Sequence, residues 1–172
     1  MSKKIANMNS KDKTFYLNIL NNNPNNYEAI LKLGLIDVKE KNFFLAKEKF
    51  KKLIKINIVR YEGHLNLSNI YSLEGDVLKA NKLLEEFLIN IEENIEIINA
   101  IAINFLNIKK YNDLEKFINK FINNYNSYIL YYLKGYILTR AERIHESEKF
   151  FKKSIGLNTN FWQGHESLLK QY

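Results

Sequence analysis

The chain has no cysteine, one proline (Pro24) and only six glycines among its 172 residues. Without thiols it can build neither a disulfide framework nor a thiolate metal site, although this leaves the redox compartment open. So few Gly and Pro argue against strands punctuated by tight turns and leave helices joined by short polar connections. Long apolar runs are missing too. The most apolar stretch, Ile95 to Leu106, is interrupted by Glu96, Asn99 and Asn104 and falls short of the roughly 20 residues that span a bilayer. The N-terminal MSKKIANMNSKDK has charge but no apolar segment behind it, so no membrane span and no secretory leader are expected, and the expected compartment is cytoplasmic.

Signatures of chemistry are equally scarce. No HExxH, GxSxG, Walker or Gly-rich dinucleotide pattern occurs, and the glycines never cluster as a phosphate loop requires. No enzymatic activity, catalytic residue, metal site or cofactor is therefore expected. The paired acids Glu85-Glu86 and Glu92-Glu93 read as solvated helix surface rather than an acid–base pair.

What is present is apolar content of 46% beside 26% charged residues, which suits one folded domain over residues 1–172 and is too apolar for disorder. The formal charge of +7 comes almost wholly from Lys. An acidic partner, a nucleic acid or an anionic membrane would each answer to such a charge. Asn and Ile are inflated alongside Lys, however, and an AT-rich coding sequence accounts for all three at once.

Order emerges from repetition. The segment YEGHLNLSNIY, Tyr61 to Tyr71, returns as WQGHESLLKQY, Trp162 to Tyr172, 101 residues later. Three series fill the interval: Gly34, Ser68, Ala102, Gly135; then Ala46, Ala80, Leu114, Ser147; then Phe50, Leu84, Ile118, Phe151, each stepping by 34, 34 and 33. Such a period marks a solenoid whose units gain a core only by stacking. Inside each unit, apolar residues recur three and four apart, as in Ile30, Leu33, Gly34 and again in Phe43, Ala46, Phe50, Leu53, Ile54, which predicts two amphipathic helices per repeat. Helices are expected near 11–22, 27–40, 43–57, 61–74, 77–91, 95–108, 111–124, 128–141, 144–157 and 161–172, with Asn and Gly serving the helix ends.

These residues resemble the tetratricopeptide repeat. Leu33-Gly34, Ala46 and Phe50 match its unit in one copy, and Leu67-Ser68, Tyr71, Gly75, Ala80 and Leu84 in the next. A third copy keeps Ile101-Ala102, Phe105 and Tyr111 but has Leu114 where Ala is usual; a fourth keeps Tyr131, Gly135, Ser147 and Phe151 but has Lys134 for Leu. Pro24 before Tyr27 looks like the usual junction into a repeat. The resemblance implies an all-α, right-handed α-solenoid of about four helix-turn-helix repeats (27–60, 61–94, 95–127 and 128–161), with a leading helix at 10–23 and a capping helix at 162–172. Small residues at the eighth and twentieth positions let paired helices approach, and the large residue four further on fills the space beyond. His64 and His165 occupy the fourth position, where the family uses bulk for packing.

Carried over residue by residue, the family's peptide-binding groove on the concave face falls on the first helix of each unit. The first copy offers Glu28, Leu31, Lys32, Leu35, Val38 and Lys39; the second Glu62, Leu65, Asn66, Asn69, Ser72 and Leu73. The third offers Glu96, Asn99, Ala100, Ile103, Leu106 and Asn107; the fourth Ile129, Tyr132, Leu133, Tyr136, Thr139 and Arg140. Asn66, Asn69 and Asn99 can donate to and accept from a peptide backbone at once. The cationic grip of chaperone-binding members is missing, because its positions carry Leu31, Leu35, Asn66, Glu96 and Ala100. The densest basic stretch, with Lys47, Lys49, Lys51, Lys52 and Lys55, falls on a second helix and is read as a solubilising surface.

The expected function is a protein-interaction scaffold binding a peptide or partner helix, monomeric or weakly dimeric through the C-terminal helix. Two alternatives stay open. One is an RNA-binding helical-repeat protein of the pentatricopeptide kind, whose period is one residue longer, with nucleic acid the less favoured partner. The other is the N-terminal scaffold of a larger enzyme such as a transferase.

Overall fold

The computed structural model describes residues 2–90 and 93–171, with side chains from Asp12 onward. Expectations that reach Ile91, Glu92 and Tyr172, namely the end of helix 77–91, half of the Glu92-Glu93 pair and the close of the capping helix, lie outside these residues. The helices are α1 (Ser2–Asn22), α2 (Tyr27–Lys39), α3 (Phe43–Ile56), α4 (Tyr61–Leu73), α5 (Val77–Asn90), α6 (Ile95–Asn107), α7 (Tyr111–Phe121), α8 (Tyr128–Arg140), α9 (Ile144–Leu157) and α10 (Trp162–Leu169). Two compact units divide the chain, Met1–Glu92 and Glu93–Tyr172. In the first, α2 pairs with α3 and α4 with α5; in the second, α6 pairs with α7, α8 with α9, and α10 packs on α9.

One turn is used four times. At the end of each first helix a residue takes the left-handed conformation: Lys41 at φ 61°, Gly75 at 89°, Lys109 at 58° and Glu142 at 58°. Each is followed by the same long hydrogen bond back into the helix, from Asn42 N–H to Asp37 C=O at 2.8 Å, Asp76 to Tyr71 at 2.8 Å, Lys110 to Phe105 at 3.0 Å and Arg143 to Leu138 at 2.9 Å. This pattern satisfies carbonyls that a helix end leaves open and reverses the chain within three residues. The expectation that Asn and Gly fill these positions holds only at Gly75. Lys and Glu adopt the conformation elsewhere at about 1–2 kcal/mol each, a cost the packing of the paired helices outweighs. Asn acts at the opposite ends, where Asn26 accepts from Ala29 N–H at 2.9 Å and Asn94 from Glu96 N–H at 2.9 Å.

The helix pairs close as the small and large series predict. A Cβ added to Gly34 would stand 2.6 Å from Phe50 Cε1, and one added to Gly135 would stand 2.7 Å from Phe151 Cε1. Ser68, Ala102, Ala46, Ala80, Leu114 and Ser147 are fully buried at their matching positions, as are Leu84 and Ile118.

Three helices depart from their expected bounds. α1 starts at Ser2 rather than near residue 10, since nothing in that segment is Gly or Pro. It is tied down by Lys13, whose Nζ lies 2.7 Å from Glu40 and 3.6 Å from the buried Asp37, which Lys49 reaches at 2.6 Å. α7 stops at Phe121, short of the polar Asn123 and Asn124, side chains that compete with the helix for backbone hydrogen bonds. α10 ends at Leu169 with Lys170 as its cap.

Candidate functional site

The first helices of the units present the positions carried over from the repeat pattern, and they are not equally available. In unit 1, Leu31 is only 8% exposed and belongs to the core with Phe50, Leu67 and Ile70. It is a core residue rather than a groove anchor, because α4 packs beside α2 and covers it. Leu35 is half-buried against the same cluster. Glu28 and Lys32 face each other at 3.4 Å on one exposed stripe. Leu65 is half-buried and Asn69 is exposed.

Two polar groove candidates are engaged within the fold. Asn66 Nδ2 donates to the Glu62 carbonyl at 2.8 Å, one turn back. The Glu62 carboxylate pairs with the Arg60 guanidinium and accepts from the Tyr27 hydroxyl at 3.5 Å, while that guanidinium sits 3.8 Å above the Tyr27 ring. Burial alone would raise the Glu62 carboxyl, but the hydrogen bond and charge of Arg60 hold it below the usual carboxylate range. Burial first, then the charge of Glu62, push the Tyr27 hydroxyl up.

In unit 2, Glu96 is exposed and Ile103 is 39% exposed, while Asn99 Oδ1 accepts from Ser127 Oγ at 2.7 Å. α8 supplies the aromatic part. Tyr132 stands edge-on to Phe161 at 5.0 Å, and Tyr136 lies 6.4 Å from Tyr111, over which the Arg140 guanidinium stacks at 4.1 Å. Tyr132 and Tyr136 open onto a pocket of about 400 Å³ whose far side is α10, with Glu166, Ser167 and Lys170. Lys170 and Glu166 pair with each other along that side at 2.7 Å. Gln171 pins the end of α10 by donating to Thr139 Oγ1 at 3.0 Å and Ser147 Oγ at 2.6 Å.

Leu31 is thus buried in the core, Tyr132 and Tyr136 line one pocket, and the share of the expected capping helix α10 in that pocket was absent from the predicted set. The signal for α10 lies in the same repeat count, which places Glu166, Ser167 and Lys170 at the fifth, sixth and ninth positions of one more first helix. Ring faces, hydroxyls and one ion pair around an open pocket can hold an apolar side chain and its neighbouring backbone. Among the described residues, no group of three or more His, Cys, Asp or Glu is placed to hold a metal ion. No described helix is long and apolar enough to cross a membrane.

Four of the five lysines on the basic helix α3 are engaged within the fold. Lys47 reaches Glu74 at 2.7 Å, Lys49 reaches Asp37 at 2.6 Å and Lys51 reaches Glu48 at 2.9 Å, while Lys52 donates to the Pro24 carbonyl at 2.7 Å.

No family model matches the sequence, and no curated protein matches it. Solved structures do. A tetratricopeptide repeat protein from Parabacteroides merdae superposes with a TM-score of 0.75 at 18% identity, over 98% of this chain and 66% of its own. A thermophilic tetratricopeptide protein of Thermus thermophilus gives 0.72 at 13% identity, over 99% of this chain and 93% of its own. A chain of the APC/C hetero-tetramer Cut9–Hcn1 gives 0.76 at 9% identity, over 95% of this chain and 33% of its own. This chain therefore spans about two thirds of the Parabacteroides protein and one third of that APC/C chain. At these identities the likeness shows the fold, which is helix pairs matching tetratricopeptide-repeat solenoids.

Proposed function

For a chain with the tetratricopeptide-repeat fold, a fold that commonly mediates protein–protein interaction, we propose a cytoplasmic, non-catalytic scaffold that binds a peptide or partner helix along its first helices. The observation that carries this reading is the open pocket where Tyr132 and Tyr136 of α8 meet Glu166 and Lys170 of α10. Half-buried Tyr rings at a pocket wall are rigid, amphipathic anchors, the residue type in which binding energy concentrates. Leu35, Leu65 and the exposed Asn69 offer a further apolar and amide surface in unit 1. The Cut9–Hcn1 assembly, in which a chain of like fold is part of a hetero-tetramer, is consistent with a protein partner.

The test is affinity capture from the source organism with the intact chain and with Tyr136→Ala, followed by calorimetry on the protein recovered. Tyr136→Ala is expected to weaken binding by about 2 kcal/mol, whereas Lys51→Ala on α3 should leave it unchanged. The reverse ranking would overturn the first-helix assignment.

A further inference from the structure

We propose that unit 2 carries a second binding site on the side of its second helices, a lysine-lined pocket that takes an acidic peptide segment of a protein partner. This goes beyond the first-helix groove and does not rest on it. The pocket encloses about 590 Å³ between Asn119 and Asn123, Lys134 of α8, and Lys149 and Lys153 of α9, over a floor that includes Tyr131 and Phe150. The two floor rings lie 6.3 Å apart and nearly parallel at 30°.

The charge around this pocket is not balanced. Lys134 is paired, with its Nζ 2.9 Å from Glu115 and 3.0 Å from Asn119 Oδ1. Lys149 and Lys153 reach no carboxylate at ion-pair distance among the described residues, and the Lys153 ammonium rests 4.2 Å from the centre of the Tyr131 ring. The acids on the same helix are already taken, Glu146 by Arg143 at 2.6 Å and Glu148 by Lys152. Ammonium groups that converge on a cavity with apolar walls focus a positive potential there. On α3, by contrast, Lys47, Lys49 and Lys51 are held by carboxylates and Lys52 by a carbonyl. Lys149 and Lys153 thus bring uncompensated positive charge to the rim of a cavity.

The cup fits carboxylates carried on a peptide better than a nucleic acid. Tyr131 is only 5% exposed and carries the Lys153 ammonium over its ring, so it offers no open face on which a base could stack, while the half-buried Phe150 gives contact to an aliphatic side chain. The Asn123 amide at its edge can donate to and accept from a peptide backbone, and Asn119 retains its donors. Ile122 completes an apolar wall. The occupant inferred is a short run of Asp or Glu flanking one apolar residue.

The probe is a fluorescein-labelled Glu-Glu-Leu-Glu-Glu peptide, titrated with the intact chain at low salt and followed by anisotropy. Saturable binding is expected, weakened about tenfold by Lys149→Glu and again by Lys153→Glu, as close interfacial charge pairs are. Lys55→Glu, the same charge change on α3, and Tyr136→Ala in the groove should leave it unchanged. Lys149 and Lys153 are exposed, and circular dichroism verifies that the variants fold. The proposal is overturned by absence of saturable binding, by an equal loss in Lys55→Glu, by undiminished binding of the Gln-for-Glu peptide, or by displacement with inorganic phosphate alone. It is also overturned if a twelve-nucleotide oligouridine displaces the peptide at lower concentration than unlabelled peptide does.

Discussion

The pairs α2–α3 and α8–α9 close their helix contacts with glycine against phenylalanine, whereas α4–α5 and α6–α7 use Ser68 with Leu84 and Ala102 with Ile118 at the same two positions. All of the large residues are fully or almost fully buried, so the two solutions fill equivalent space. What recurs is the sum of two volumes, not either residue. Interiors packed to crystal-like density require this, since a methylene too many or too few is felt directly. A repeat can therefore drift from its consensus at one position only if the facing position compensates.

The comparison breaks most sharply at glycine. Gly34→Ala places a Cβ 2.6 Å from Phe50 Cε1, and Gly135→Ala one 2.7 Å from Phe151 Cε1. Alanine favours a helix over glycine by about 1 kcal/mol, but overpacking against a buried ring costs about 1–3 kcal/mol, so a net loss is expected in each. Adding Phe50→Leu to Gly34→Ala rebuilds the pairing of small and medium residues and should recover stability. Urea unfolding of the two single variants and the double variant measures this, with a favourable coupling of about 1 kcal/mol expected. Strict additivity would show that the two positions do not share a volume.

A smaller effect separates the two closely similar pairs. Ser68 Oγ is buried without a hydrogen-bond partner in the described structure, whereas Ala102 has no hydroxyl to satisfy. Ser68→Ala should stabilise the chain by about 1 kcal/mol, because it removes a desolvated polar group; thermal melts of Ser68→Ala and Ala102→Ser should move in opposite directions.

The smallest expected effect is a pH dependence at the fourth position, where Ile30, Ile98 and Tyr131 stand in three repeats and His64 in the other. The His64 ring packs edge-on against Phe87 at 4.8 Å. Burial pulls its pKa down from the ordinary value, against the opposing pull of a hydrogen bond to the Arg60 backbone. A histidine with a depressed folded pKa is held neutral by the fold, so the unfolded chain binds the extra proton. Stability from this site is full above the ordinary histidine pKa near 6.5 and is lost as pH falls below it. Melting temperature should drop between pH 7.5 and 5.5, and His64→Ile should flatten that drop; an unchanged slope in the variant would remove His64 as its source.

Within single helices the sequence was highly legible. The starts of α2 through α9 follow from the period, because each lies where an apolar series resumes after a polar break. The left-handed turns are visible in register but not in chemistry: Lys41, Lys109 and Glu142 occupy them without the glycine that would advertise the conformation. The groove was only partly legible. Leu31 and Leu35 look alike in the pattern, yet α4 covers the first and leaves part of the second open. Asn99 looks free until Ser127 is in place, whereas Asn66 turns back onto its own helix.

Sequence alone determined the helical class, the repeat length, the facing small and large positions and the first-helix placement of Tyr132 and Tyr136, because each follows from spacing along one chain. Tertiary structure decided which lysines are neutralised, which apolar residues are covered and which rings line a pocket. Lys52 and Lys153 are indistinguishable by spacing, each a lysine six residues past the small residue of its second helix. One donates to the Pro24 carbonyl and the other lines a cavity, because engagement and burial depend on what another segment brings alongside, and no local pattern carries that information.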